Sequence, residues 1–91
     1  RMTGGKIKIK MVIEFPEGRT TKEETVNLSQ QQQQQNHVEN FLIEGYRKNA
    51  IKLATLLVGK VRRIRIEVFL ETHSGEQKCV RRQTGCVVII T

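Results

Sequence analysis

Few side chains in this chain are suited to covalent, metal-binding or acid–base chemistry: Cys79, Cys86, His37, His73 and the carboxylates Glu14, Glu67 and Glu71. Cys79 and Cys86 lie too far apart in sequence for the short Cys-x-x-Cys type of knuckle that holds structural zinc. His73 is the nearest third ligand, and His37 belongs to a different segment. A cysteine nucleophile also needs a base and a group to orient that base, and His73 is the only nearby candidate. A chain reversal centred on Arg82-Gln83 would set Cys79 opposite Cys86 on two strands. That would permit a disulfide in an oxidising compartment. The N-terminal stretch shows no leader-like segment, since Gly4-Gly5 runs straight into alternating Lys and Ile, so a cytoplasmic protein with two reduced thiols is expected. Glu14, Glu67 and Glu71 can approach one another across strands, but lysine and arginine neighbours make them ion-pair partners as readily as an acid–base pair. The phosphate-loop, dinucleotide and zinc-protease signatures are all missing. The residues predict no catalytic group, no metal and no cofactor, hence a non-enzymatic protein.

The stronger chemical signal is charge. Sixteen Lys and Arg against nine Asp and Glu give a net charge of +7 and favour polyanionic partners through release of their counterions. The cations are not scattered. Lys6, Lys8 and Lys10 alternate with Ile7, Ile9 and Met11, and Arg63 and Arg65 alternate with Ile64 and Ile66. If the isoleucines share one sheet face, the five cations share the other, joined by Arg81 or Arg82 according to register. Such a face would bind nucleic acid or an acidic partner. Phe69 is the single aromatic expected on it, and readers of single strands ordinarily use several. The competing expectation is a solvated face on which Lys–Glu and Arg–Glu pairs neutralise one another. Arg47, Lys48 and Lys52 form a second basic group, without a helix-turn-helix pattern around it.

These residues must be positioned by a small core. Apolar residues make up 37 % of the chain and there is no Trp, so one aliphatic core spanning residues 1–91 as a single domain is expected. No run approaches the ~18 apolar residues of a membrane helix. Lys6–Phe15 alternates with period two and reads as a strand of an antiparallel sheet with one wet face. Pro16-Glu17-Gly18 is a turn, and the polar stretch from Arg19 to Leu28 reads as a returning strand at an edge, with Lys22, Glu23 and Glu24 discouraging aggregation. A Gln tract follows at 30–35. A helix from there to Val58 would be roughly 43 Å long at ~1.5 Å per residue, so the packed helix is expected to begin at Asn36. Asn36 would then be its cap, with Glu39 folded back onto the first turn. The tract becomes a projecting extension or a loop, tolerated at that position or forming a polar-zipper contact with another chain.

At ~100° per residue, Val38, Leu42, Tyr46, Ala50, Leu53, Leu56 and Leu57 form one stripe, widened by Ile43 and Ala54. Gly45 would allow close approach to a strand, and Gly59 would end the helix. Arg63–Glu71 reads as a third strand and His73–Glu76 as a turn. Lys78–Arg82 reads as a returning strand, and Gln83-Thr84-Gly85 as a second turn or a bulge. The apolar run Cys86–Ile90 suits a strand covered on both faces. The result is an α+β fold in the order ββαββ, with an antiparallel sheet of four or five strands and one helix across it. Phe41, Ile51, Val58, Val12, Phe69, Val87 and Ile89 exceed what one helix covers. They predict, as the alternative function, a self-associating module joined as a homo-oligomer.

Overall fold

The structure is a computed structural model that describes residues 5–28, 35–57, 59–72 and 74–86. The Gln tract before Gln35, Val58, His73 and the segment from Val87 lie outside the described residues, as does the side chain of Cys86.

Four strands and one helix follow in the expected order: β1 (Lys6–Phe15), β2 (Gly18–Asn27), α1 (Gln35–Leu56), β3 (Arg63–Glu71) and β4 (Gln77–Cys86). All neighbours pair antiparallel in the order β2-β1-β3-β4. The α+β architecture is therefore the one the period-two and period-3.6 patterns predict. Pro16 and Glu17 make the two-residue turn between β1 and β2, where Pro presets φ and Phe15 pairs with Gly18. β2 and β3 both oppose β1, so they run parallel to each other, and α1 carries the chain over β1 from one to the other.

The most regularly alternating strands, β1 and β3, are the two central ones. Ile7, Ile9, Met11 and Ile13 stand opposite Leu70, Val68, Ile66 and Ile64. Together with Val61 they bury against Leu42, Ile43 and Tyr46 of α1. β2 and β4 are the edges. β2 is exposed along almost its whole length and carries Lys22, Glu23 and Glu24, the charged-edge device that blocks pairing with another sheet.

The structure corrects four local expectations. β4 does not turn at Gln83–Gly85 but continues to Cys86. The irregularity comes earlier, where Val68 pairs with Arg81 and Phe69 with Cys79, so Val80 is the extra residue of a bulge. The helix includes Gln35 and Asn36, which moves Glu39 out of the first turn. It is 4 % exposed, a buried carboxylate rather than a cap. Leu56, placed on the packed stripe, is 75 % exposed. Gly45 makes no close approach: a Cβ built there meets nothing within 4 Å. Gly59 ends the helix as expected, with φ of 86° and Lys60 N–H donating to Leu57 O at 2.9 Å.

Candidate nucleic-acid interface

Helix α1 covers one face of the sheet, and among the described residues nothing covers the other. Register decides what that open face displays. β1 contributes Lys6, Lys8, Lys10, Val12 and Glu14 to it. β2 adds Asn27, Thr25, Glu23, Thr21 and Arg19, and β3 adds Glu71, Phe69, Glu67, Arg65 and Arg63. From β4 come Gln77, Cys79, Arg82 and Thr84. Seven cations and four carboxylates therefore share one surface. The sequence-predicted cations Lys6, Lys8, Lys10, Arg63, Arg65 and Arg82 are brought together there.

Arg81 is not among them. The bulge in β4 turns it to the helix side, where its guanidinium donates to Asn40 Oδ1 at 2.6 Å and lies 3.9 Å from Glu39 Oε1. This contact explains how Glu39 tolerates burial, since the Gln35 amide donates to its other oxygen at 2.9 Å.

The open face has two unlike halves. Toward the β1–β2 turn an ion-pair chain crosses the strands. Glu14 lies 3.8 Å from Arg63 and 3.4 Å from Arg65, and Glu67 lies 3.3 Å from Arg65 and 2.9 Å from Arg82. Glu67 is only 6 % exposed despite standing on the uncovered face. The Arg65 Nε atom is buried without a hydrogen bond, because its approach to Glu67 is ionic contact outside hydrogen-bond geometry. Glu14 and Glu67 thus hold arginines, and Glu71 lies at the far end of β3. Toward the other end, Lys8 lies 3.7 Å from Glu23, while Lys6 and Lys10 have no carboxylate within 4.0 Å among the described residues. Phe69, half-buried, pairs in register with Lys8 on one side and with the exposed Cys79 on the other.

Of the apolar residues expected at an interface, the described ones lie on more than one surface. Val12 is on the open face but 2 % exposed, flanked in register by Thr21 and Arg65. Phe41 is 73 % and Ile51 66 % exposed, but they lie on different sides of α1. Phe41 borders a groove shared with Lys22 and Glu24 of β2, whereas Ile51 borders a cleft of about 280 Å³ shared with Ile64, Ile66 and Gln83. Val58, Val87 and Ile89 fall outside the described residues.

Cys79 and Cys86 stand on the same strand, near its two ends. At ~3.3 Å per residue they are roughly 20 Å apart, far beyond disulfide or shared-ligand distance. The cross-strand pairing that a turn at Arg82-Gln83 would create therefore does not form. Among the described residues no cluster of three or more His, Cys, Asp or Glu is gathered as for a metal ion, and no helix is long and apolar enough to cross a membrane.

Sequence reasoning missed the Tyr46 contact. Its phenol donates to Glu24 Oε1 at 3.1 Å, and Lys22 Nζ lies 5.8 Å from the ring centre. Burial, then the hydrogen bond to Glu24 and the charge of that carboxylate, push the Tyr46 pKa up to about 12. The clue was the alternation of β2, which puts Lys22, Glu24 and Val26 on the helix side. Comparison with protein-family models, with curated proteins and with solved structures finds no match to this chain.

Proposed function

We propose that this is a non-enzymatic nucleic-acid-binding domain that uses the open sheet face. The observation that carries the reading is the gathering of seven cations and four carboxylates on one sheet face by the register of four strands. Phosphates would compete with Glu14, Glu23 and Glu67 for the arginines and lysines. Much of the affinity would come from counterion release rather than from new ion pairs. The same carboxylates cap the attraction, so binding is expected to be salt-sensitive and moderate. An acidic protein partner would exploit the same charge.

The test is fluorescence anisotropy with labelled single-stranded and duplex oligonucleotides across a range of salt concentrations. Affinity should fall with salt, and the Lys6→Ala/Lys8→Ala/Lys10→Ala variant should bind with a shallower slope. Absence of binding at low salt, or binding indifferent to salt, would overturn the reading.

A second reading, self-association, draws on the exposure of Phe41, Ile51 and Leu56. Their dispersal around α1 gives it no single patch, and the charged edge β2 and bulged edge β4 discourage joining sheet to sheet. Light scattering decides it, and a monomer would end it.

A further inference from the structure

We infer that the ligand of the open face is a single-stranded polynucleotide, with Phe69 as a base-stacking platform and the β1 lysines as its backbone contacts; this deepens the nucleic-acid reading and rests on it. Three observations point the same way.

The first is width. Four strands at ~4.8 Å spacing put roughly 14 Å between the outer strand axes before side chains are added. A B-form major groove is about 12 Å wide and admits a helix or a two-stranded ribbon, so this face cannot enter it. A duplex would touch the face only along its outer phosphates, whereas a single strand can lie across it and expose its bases to it.

The second is the position of Phe69. It is the aromatic residue of this face among the described residues, and its register neighbours are Lys8 and Cys79. Neither is another aromatic that would occupy its ring face. A half-buried ring standing between β1 and β4 still offers a surface on which a base can stack, with Lys8 beside it in register for the adjoining phosphate.

The third is the division of the face. Arg63, Arg65 and Arg82 are held by Glu14 and Glu67, while Lys6 and Lys10, on either side of Lys8, have no carboxylate within 4.0 Å among the described residues. Two cations with little internal competition, Lys6 and Lys10, thus flank Lys8 in a line along β1 beside Phe69, while Arg19, also without a carboxylate within 4.0 Å among the described residues, stands at the opposite end of the face. A line of lysines suits a one-dimensional string of phosphates. Glu23, Glu67 and Glu71 border the line and would hold the affinity down.

The experiment compares oligo-dT, oligo-U and a duplex of matching length by anisotropy, using the full chain and its Phe69→Leu, Phe69→Trp, Lys6→Ala and Lys48→Ala/Lys52→Ala variants. Leu keeps apolar bulk at 69 but removes the π face, and circular dichroism with thermal melting verifies that each variant folds. Single strands should bind more tightly than duplex. Phe69→Leu should lose about 5- to 150-fold, the equivalent of one stacked base at ~1–3 kcal/mol, with an unchanged salt slope. Phe69→Trp should restore binding, and Lys6→Ala should lower the salt slope by about 0.7. Oligo-dT and oligo-U binding alike supports backbone-and-stacking recognition, and so does a preference for one over the other if Phe69→Leu weakens both. Duplex bound as tightly as single strand, or Phe69→Leu without effect, overturns the inference while leaving the broader reading. Loss of binding in the Lys48/Lys52 variant alone would also overturn it, by moving the ligand to the helix. Absence of salt-dependent binding to all three probes overturns both.

Discussion

Tyr46 Oη donates a hydrogen bond to Glu24 Oε1 at 3.1 Å, tying the middle of α1 to the edge strand β2. β2 needs such a tie. Its residues are exposed almost throughout, and apart from Val26 it brings little apolar surface to the core. The helix reaches it with one phenol, which is buried at its ring and polar at its tip. Lys22 over the ring adds a modest cation–π contact on the same edge.

Tyr46 is the only tyrosine in the chain, so its titration is directly readable. Its pKa is raised to about 12 from an ordinary value near 10, which means the native state favours the neutral phenol. The stabilisation is fully present below about pH 10 and is lost as pH rises through about 12. Tyrosinate absorbance should therefore titrate near 12 in the native protein and near 10 in denaturant, with alkaline unfolding setting in between. Tyr46→Phe should cost about 0.5–1.5 kcal/mol and lessen that alkaline loss. A native titration midpoint at the ordinary tyrosine value would contradict the contact.

The contrast between Ile9 and Glu39 shows what was legible beforehand and why. Ile9, Ile66 and their alternating neighbours announce a two-faced strand by period alone, and the two most regular patterns became the central strands. Glu39 is different, because its environment depends on where α1 starts and on a β4 register that no local pattern carries. The bulge at Val80 shifts that register, sending Arg81 to the helix side and leaving Arg82 on the open face. Which arginine joined the basic surface was thus decided by one extra residue in the pairing. The cationic face itself was legible, because it is the complement of the apolar alternation. The ion pairs that partly neutralise it were foreseen as a type, but their partners depended on register.

The Glu39–Arg81 pair makes an asymmetric prediction. Removing the arginine leaves a carboxylate that is 4 % exposed with only the Gln35 amide for company, so Arg81→Ala should destabilise by about 1–3 kcal/mol. Removing the carboxylate is gentler, because Arg81 keeps Asn40 and partial access to solvent. Glu39→Met should therefore cost less than Arg81→Ala, because the cation left behind is partly exposed instead of buried. Urea melts of the two variants check the order, and equal losses would show that the pair is not what compensates the burial.

Glu67 restrains two arginines of the open face, so it trades stability against binding. In Glu67→Gln, Arg65 and Arg82 keep their places on the strands but lose their shared anion. The loss of stability should be on the order of 1 kcal/mol, since the exposed Arg82 is already screened by solvent. Affinity for a single-stranded oligonucleotide should rise, with a steeper salt slope from the freed cations. Paired measurements of melting temperature and anisotropy test this. A variant that binds more weakly than the parent would show that Glu67 aligns the arginines for the ligand instead of competing with it.

Gly45 offers the clearest route to a more stable protein. It lies in the interior of α1, where glycine costs about 1 kcal/mol relative to alanine because the unfolded chain has more freedom to lose. A Cβ at this position meets nothing within 4 Å, so alanine brings no clash and no altered packing. Gly45→Ala should therefore stabilise by about 1 kcal/mol, a rise in Tm of roughly 4–8 °C for a domain of this size. Because the helix stands on the far side of the sheet from the basic face, oligonucleotide affinity should stay at the parent value. A destabilised variant would mean that another group approaches Gly45 in solution, and altered affinity would place part of the ligand on α1.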